Sequence, residues 1–214
     1  MKFFHTRDTP EILENVTPIF GRRIRTFGNT PQGVMWKNAE GQQLRFEMLA
    51  GILDNLPPST PISIHDFGCG YGAFFDFLSN LPQMPEIFYT GYDISNDMIA
   101  AARNRINDER ASFIKATEIK TPGDFTIVSG TYNLKVDVPD EPWNAYIRQS
   151  LKQIWSMTNQ GLAFNMLNNN HPEQGDSLYY ADADEFMEFC AQLSPNVSLI
   201  DDYPLHEWTI FIHR

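Results

Sequence analysis

HDFGCGYGAFFDFL, residues 65–78, sets glycines at positions 68, 70 and 72 directly behind Asp66 and ahead of an apolar helical pattern. The four residues before it, PISI, read as a buried strand. A strand, a glycine-rich turn and a helix in immediate succession form the opening unit of an open parallel sheet. In such sheets ligands bind outside the carboxyl ends of the strands, and the first strand-to-helix turn supplies the floor. Glycine there tolerates positive φ and lets a ligand approach the backbone with no Cβ in the way. The stretch therefore predicts both an α/β fold and a ligand seat.

Working outward, short apolar runs follow at ISIHDF, EIFYTGYDI, ASFIKA, DFTIVSG, GLAFNML, NVSLIDDY and HEWTIFIH, which predict seven strands. Helical spacing connects most of them: Phe74, Phe77, Leu78 and Leu81; then Met98, Ile99, Ala102 and Ile106; then Trp143, Ile147, Leu151, Ile154 and Trp155. TEIKTPGD, between the third and fourth strands, is too short for a long helix. Alternating strands and helices imply right-handed crossovers and a mostly parallel sheet covered on both faces. Only YPL separates NVSLIDD from HEWTIFIH, which permits an antiparallel pair but not a parallel crossover. The expected fold is α/β, a Rossmann-like three-layer sandwich with a seven-stranded, mostly parallel sheet and an antiparallel last strand. Two further helical patterns, Ile12 to Ile24 and Leu44 to Leu56, precede the first strand. They predict N-terminal helices over 1–60 that pack on and cap a ligand-binding domain over 61–214, one structural domain overall.

The 214 residues, 42% hydrophobic and 20% charged, suit a globular chain of that size. Sixteen Lys and Arg against 27 Asp and Glu give a formal charge of -11, which repels phosphate backbones and anionic lipid surfaces. Nucleic acid and membrane partners are not expected, although Arg22, Arg23 and Arg25 form a local basic patch. Cys69 and Cys190 are too few for a disulfide framework and lack metal-ligand spacing. Asp201 and Asp202 have no partner acid at the fourth strand end, so no metal site is expected. The start lacks the apolar core of a signal peptide, and the expected compartment is the cytoplasm.

A second acid decides between cofactors. Asp93 ends the second strand, in YTGYDIS, 25 positions after Gly68, where a carboxylate can accept both hydroxyls of a ribose. The bland alternative is a helix N-terminal acid favoured by the dipole of the helix starting near Ser95. Gly68, Gly70 and Ala73 also satisfy the G-x-G-x-x-G/A pattern of dinucleotide sites, so the glycines alone leave NAD open. Asp66 argues against it, because a carboxylate at the strand end is an unfavourable neighbour for a pyrophosphate.

With these residues in place, the chain resembles the class I S-adenosylmethionine-dependent methyltransferases. HDFGCGYG is similar to their first motif, TGYDISNDMIAAAR to their second strand and following helix, and the terminal hairpin to their antiparallel seventh strand. The resemblance implies S-adenosylmethionine as cofactor and S-adenosylhomocysteine as product. Carried over, Asp66 would lie beneath the methionine part, lined by Gly68, Cys69 and Gly70. Asp93 would hold the ribose, and Ile94 and Met98 would flank the adenine. Thr117 stands where the family often has an acid for the adenine amino group. Ser129 and Gly130 would face the methionine part, with Thr131, Tyr132 and Asn133 turned toward the acceptor.

Outside these motifs, Arg45 could pair with the cofactor's carboxylate or simply face solvent, and Trp36 could cover the cofactor or anchor the core. His171 and His206 fall on loops at the carboxyl edge of the sheet and are candidates for a general base, as is Tyr132. Asn165, Tyr179 and Tyr203 are candidates for the acceptor pocket. His5, His65 and His213 are not. The amide, hydroxyl and aromatic content of these loops suggests methyl transfer to an oxygen or nitrogen of a small polar metabolite or sugar-like acceptor. A cofactor-binding protein with other chemistry and an NAD-dependent oxidoreductase are the alternatives. Oligomeric state is not legible.

Overall fold

The computed structural model describes residues 10–54, 56–57, 60–82 and 84–214; His5 lies outside them. Eight strands lie among these residues: β1 (Ile62–Phe67), β2 (Ile87–Asp93), β3 (Ala111–Lys115), β4 (Gly123–Ser129), β5 (Thr158–Asn168), β6 (Tyr180–Ala181), β7 (Asn196–Ile200) and β8 (Glu207–His213). Seven of them run β3-β2-β1-β4-β5-β8-β7 across one sheet. Pairings from β3 through β5 are parallel, and β8 is antiparallel to both β5 and β7. Strand order reverses between β1 and β4, which opens a crevice at their carboxyl ends. The remaining strand, β6, which the sequence did not announce, pairs with the end of β5; two residues are too short for a period to show.

Two apolar layers follow from the alternation of strand side chains. One face packs Val128, Phe164, Ile210 and Trp208 against α5 (Asp140–Ser156) and α6 (Ala183–Ala191). The other packs Ile62, Ile64 and Ile127 against α2 (Ala39–Ala50), α3 (Ala73–Ser79) and α4 (Asn96–Arg105). Helical spacing explains the contacts: Trp143, Ile147, Leu151 and Ile154 recur every three or four residues along one stripe of α5 and are all buried. Each such side chain contributes about 1.5–3 kcal/mol. Side chains of Ser95 and Asp182 accept the backbone N–H groups of Met98 (3.4 Å) and Glu185 (3.1 Å) and so set where α4 and α6 begin.

The expectation of a sheet covered on both faces fails locally. No helix joins β3 to β4, as their short connection foretold, and one face of the β2–β3 end is therefore bare, with Phe88 52% and Ile114 42% exposed. At the N-terminus, α1 (Thr17–Phe27) packs on α4, while α2 lies against β4, β5 and α3. Both bring residues 10–50 to the carboxyl edge of the sheet, over the glycine turn. No helix among the described residues is long and apolar enough to cross a membrane.

Candidate active site

A cavity of about 330 Å³ opens at the carboxyl ends of β1, β2 and β4. Its floor is the glycine turn. Gly68 (φ 86°) and Cys69 both donate their N–H to the carbonyl of Tyr92, at 2.8 and 2.9 Å, and a Cβ on Gly68 would run into the side chain of Thr131. Gly70 (φ 54°) donates to Asp93 Oδ2 at 3.0 Å, and a Cβ there would come within 2.8 Å of Val34 Cγ1. The chain can pass this closely only without side chains.

Asp93 does more than end β2. Its Oδ1 accepts the N–H of Ser95 at 2.8 Å while Oδ2 holds Gly70, so one carboxylate ties the first turn to the start of α4. Burial pushes its pKa up to about 6 against the pull of the N–H groups of Ser95, Gly70 and Ile94. The helix-terminal role weighed against a ribose role is therefore present. Each carboxylate oxygen has a second lone pair, which leaves acceptor capacity on the cavity side.

Asp66 is the most constrained group. It is 2% exposed, Tyr89 donates its hydroxyl to Oδ2, and Oδ1 has no partner among the described residues. Burial pushes its pKa up to about 7, with the charge of Asp93 adding to the rise and the Tyr89 bond opposing it. The sequence reading treated it as a plain negative charge; buried in this way, it holds its proton well above the ordinary carboxylate range. The Cys69 thiol beside it is also pushed well up, first by burial and then by the two carboxyls, so it is an inert wall group.

Ile94, Met98, Ser129, Gly130, Thr131, Tyr132 and Asn133 all line the cavity, as do Trp36 and Arg45. Arg45 is not free to meet a ligand's carboxylate. Its guanidinium donates from Nε to both oxygens of Glu207 (2.8 and 2.9 Å), pairs again through Nη2, donates from Nη1 to the carbonyl of Gly41 (2.8 Å), and lies 3.9 Å from the Trp36 ring. Tyr132 corrects a second expectation: it is 1% exposed, its hydroxyl is 2.7 Å from Ser150 Oγ, and burial raises its pKa well above the ordinary value, so it offers a ring and no base.

Six expected residues do not reach the cavity. Thr117 lies off the wall, where Ala116 stands instead. Asn165 is 1% exposed and structural: its Oδ1 accepts the Gly130 N–H (2.7 Å) and its Nδ2 donates to Glu207 Oε2 (2.7 Å). Tyr179 accepts from Asn144 (2.7 Å), and Tyr203 shares a bond of 3.1 Å with Thr209. His171 and His206 do meet, with ring centroids 4.7 Å apart, because the 168–179 loop folds onto the β7–β8 hairpin. Neither lines the cavity.

Sequence reading missed Glu207, which is 2% exposed and joins Arg45 to Asn165. Its signal was present: a lone acid at the head of the otherwise apolar strand HEWTIFIH. Also missed were Leu13, Val16 and Phe20, which wall the cavity from the N-terminal segment, and Tyr146 from α5. Among the described residues no group of three or more His, Cys, Asp or Glu side chains is placed to hold a metal ion.

Comparison with known proteins agrees with this geometry. A family model described as a methyltransferase domain matches residues 65–138, from the glycine turn to the loop beyond β4. A Mycobacterium tuberculosis protein whose name assigns it to the methyltransferases, without an acceptor, is 35% identical over 158 residues, covering 72% of this chain and 94% of its own. Among solved structures, the magnesium protoporphyrin IX methyltransferase of Synechocystis PCC 6803 with bound SAH superposes with a TM-score of 0.65 at 14% identity, over 94% of this chain and 98% of that one. DhpI in complex with SAH also gives 0.65 at 14%, over 95% and 96%. The small RNA methyltransferase HEN1 gives 0.59 at 16%, over 81% of this chain and 25% of its own. At such identities these structures share the fold. The mycobacterial relative carries more, and on it the chain belongs to the methyltransferases, with the fold of the class I S-adenosylmethionine-dependent enzymes.

Proposed function

We propose that the protein methylates an oxygen or nitrogen of a small molecule held in the cavity beside S-adenosylmethionine, with residues 1–60 acting as the cap of the 61–214 domain. The observation that carries this reading is the unpartnered, buried Asp66 Oδ1 beside a turn that a Cβ would fill. That combination fits the cofactor. A carboxylate oxygen with nothing to bind suits an ammonium group, and the bare turn leaves room for the adjoining chain. Asp93 would take the ribose hydroxyls on its remaining lone pairs. Ile94 and Met98 would flank the adenine, and the methyl side chain of Ala116 rather than Thr117 would border it.

When bound, S-adenosylmethionine supplies an electrophilic methyl group on a sulfonium, which an acceptor lone pair displaces as the carbon–sulfur pair returns to sulfur. The chain's own contribution is alignment and exclusion of water. Among the described residues no histidine lines the cavity, and the Tyr132 hydroxyl is engaged, so the acceptor atom has to be a nucleophile in its own right or lose its proton to water. The net charge of -11 supports a small acceptor over a polyanionic nucleic acid, and the two buried, unpaired cysteines suit a reducing cytoplasm.

Titration calorimetry with S-adenosylhomocysteine and with NAD tests the cofactor assignment: binding of the first alone is expected, and binding of NAD alone overturns it. Mass analysis of reactions with S-adenosylmethionine and metabolite extracts, read for products heavier by one methylene group, tests transfer. A cofactor-binding protein with other chemistry would bind and yield no such product.

A further inference from the structure

Beyond the cofactor seat, the cavity wall is apolar in a way the loop composition did not suggest. Leu13, Val16, Phe20, Leu134, Trp143 and Tyr146 all line the cavity and belong to one apolar cluster. The polar tips of its aromatic residues are turned away. The Trp143 indole N–H donates to the carbonyl of Tyr132 at 2.9 Å, and the hydroxyl of Tyr132 lies 2.7 Å from Ser150 Oγ on α5. Rings, not hydroxyls, are presented to whatever enters. The side chains expected to make the pocket polar, Asn165, Tyr179 and Tyr203, are spent elsewhere.

Two buried polar atoms without a partner among the described residues lie on this part of the wall, Ser129 Oγ, which can donate or accept, and Asn133 Nδ2, which can only donate. Asn133 is 7% exposed and lines the cavity, and its Oδ1 accepts the backbone N–H of Leu167 at 3.3 Å. A backbone donor fixes which way the amide points, so the group left over is Nδ2, a pure donor, and it has no partner among the described residues. A buried donor without an acceptor costs free energy that a ligand can recover. Its complement is an oxygen lone pair, not another N–H.

Resting on the proposed methyltransferase reading, we propose that the acceptor is an apolar, ring-bearing molecule with a single hydroxyl or carboxylate oxygen, its body lying between the N-terminal helix and α5 and its oxygen held by Asn133 Nδ2. A sugar-like acceptor would bring several hydroxyls against the apolar stretch formed by Leu13, Val16, Phe20, Leu134 and Trp143, where those not reaching Ser129 or Asn133 would lose their water without replacement.

The test uses full-length protein saturated with S-adenosylhomocysteine and three probes: 2-naphthol, naphthalene and methyl glucoside, with binding followed by calorimetry and by tryptophan fluorescence, Trp36 and Trp143 both lining the cavity. The expected order is 2-naphthol at least tenfold tighter than naphthalene, and no saturable binding of methyl glucoside. Asn133→Asp keeps the acceptor for the Leu167 N–H and removes the donor, so it should erase the tenfold preference while S-adenosylhomocysteine binds as before. Saturable glucoside binding, or equal affinity for 2-naphthol and naphthalene in the wild type, overturns the proposal whether or not the variant folds. If Asn133→Asp instead weakens S-adenosylhomocysteine and spares 2-naphthol, the amide serves the cofactor's carboxylate and the proposal falls. Failure of the wild type to bind S-adenosylhomocysteine at all would strike the cofactor reading first, which separates the two.

Discussion

Replacing Asp66 by asparagine should change how stability responds to pH more than it changes stability itself. Folding moves this carboxyl from the ordinary value of 3.8 to about 7. An acid that holds its proton more tightly in the fold than in the unfolded chain contributes stability below about pH 4 that is lost as pH rises toward 7. At about 1.4 kcal/mol per pKa unit, complete ionisation withdraws roughly 4 kcal/mol, of which about 2 to 3 kcal/mol disappears between pH 5 and pH 8. The amide in the Asp66→Asn variant would still accept the Tyr89 hydroxyl and would not titrate. Burial also raises Asp93, which adds a slope of the same sign, and it lowers His65, which adds one of the opposite sign. The His65 contribution is common to the two proteins and cancels in the difference; loss of the Asp66 charge also eases ionisation of Asp93, which moves the difference in the same direction. Urea melts of wild type and Asp66→Asn at pH 5, 6, 7 and 8 should therefore diverge, the variant gaining on the wild type by about 2 to 3 kcal/mol across the series. Cofactor binding supplies an internal check. If Asp66 Oδ1 receives an ammonium group, the wild-type affinity for S-adenosylhomocysteine should fall about tenfold for each pH unit below 7, and the variant's should be weak and nearly flat. Parallel melts with a pH-independent wild-type affinity would refute the reasoning, because the carboxyl would then be ionised throughout and not desolvated as described.

The buried ion pair offers a larger effect on stability. Glu207→Ala strands the Arg45 guanidinium and the Asn165 amide, and a loss of about 3–5 kcal/mol in denaturant melts is expected; a loss below about 1 kcal/mol would mean that water reaches the pair. Asp93→Ala frees the N–H groups of Gly70 and Ser95, so it should cost about 1–3 kcal/mol of stability and, if ribose hydroxyls also bond there, about 2–4 kcal/mol of cofactor affinity. Melts with and without S-adenosylhomocysteine read both, and an unchanged ligand-induced stabilisation would leave Asp93 a purely structural tie. His171→Ala and His206→Ala should leave kcat/KM far from the roughly 10²–10⁴-fold loss of a general base; a loss of that size in either would place the pair in the chemistry after all.

Much of the fold is legible in the chain because its determinants are local. Glycines at 68 and 70 are needed where the backbone adopts positive φ within a few residues of a strand end, Asp93 closes the next strand, and Trp143, Ile147, Leu151 and Ile154 spell the buried stripe of α5. Each signal is a period or spacing short enough to be read without knowing what lies opposite. The six-residue link before β8 likewise dictates a hairpin, and the short β3–β4 connection forbids a covering helix.

What only tertiary structure decided are pairings between distant positions. Arg45 and Glu207 are 162 residues apart, and nothing near either says that the guanidinium is already claimed. The loops that carry His171 and Tyr179 sit at the right edge of the sheet, yet side-chain direction there depends on how one loop folds on another. Thr117 gives way to Ala116 through a shift of one residue along a connection with no period to fix it. The cavity's apolar character arises the same way: tyrosine and tryptophan carry both a ring and a polar tip, and sequence cannot say which end faces a ligand until the partners of the tips, Ser150 and the Tyr132 carbonyl, have been placed beside them.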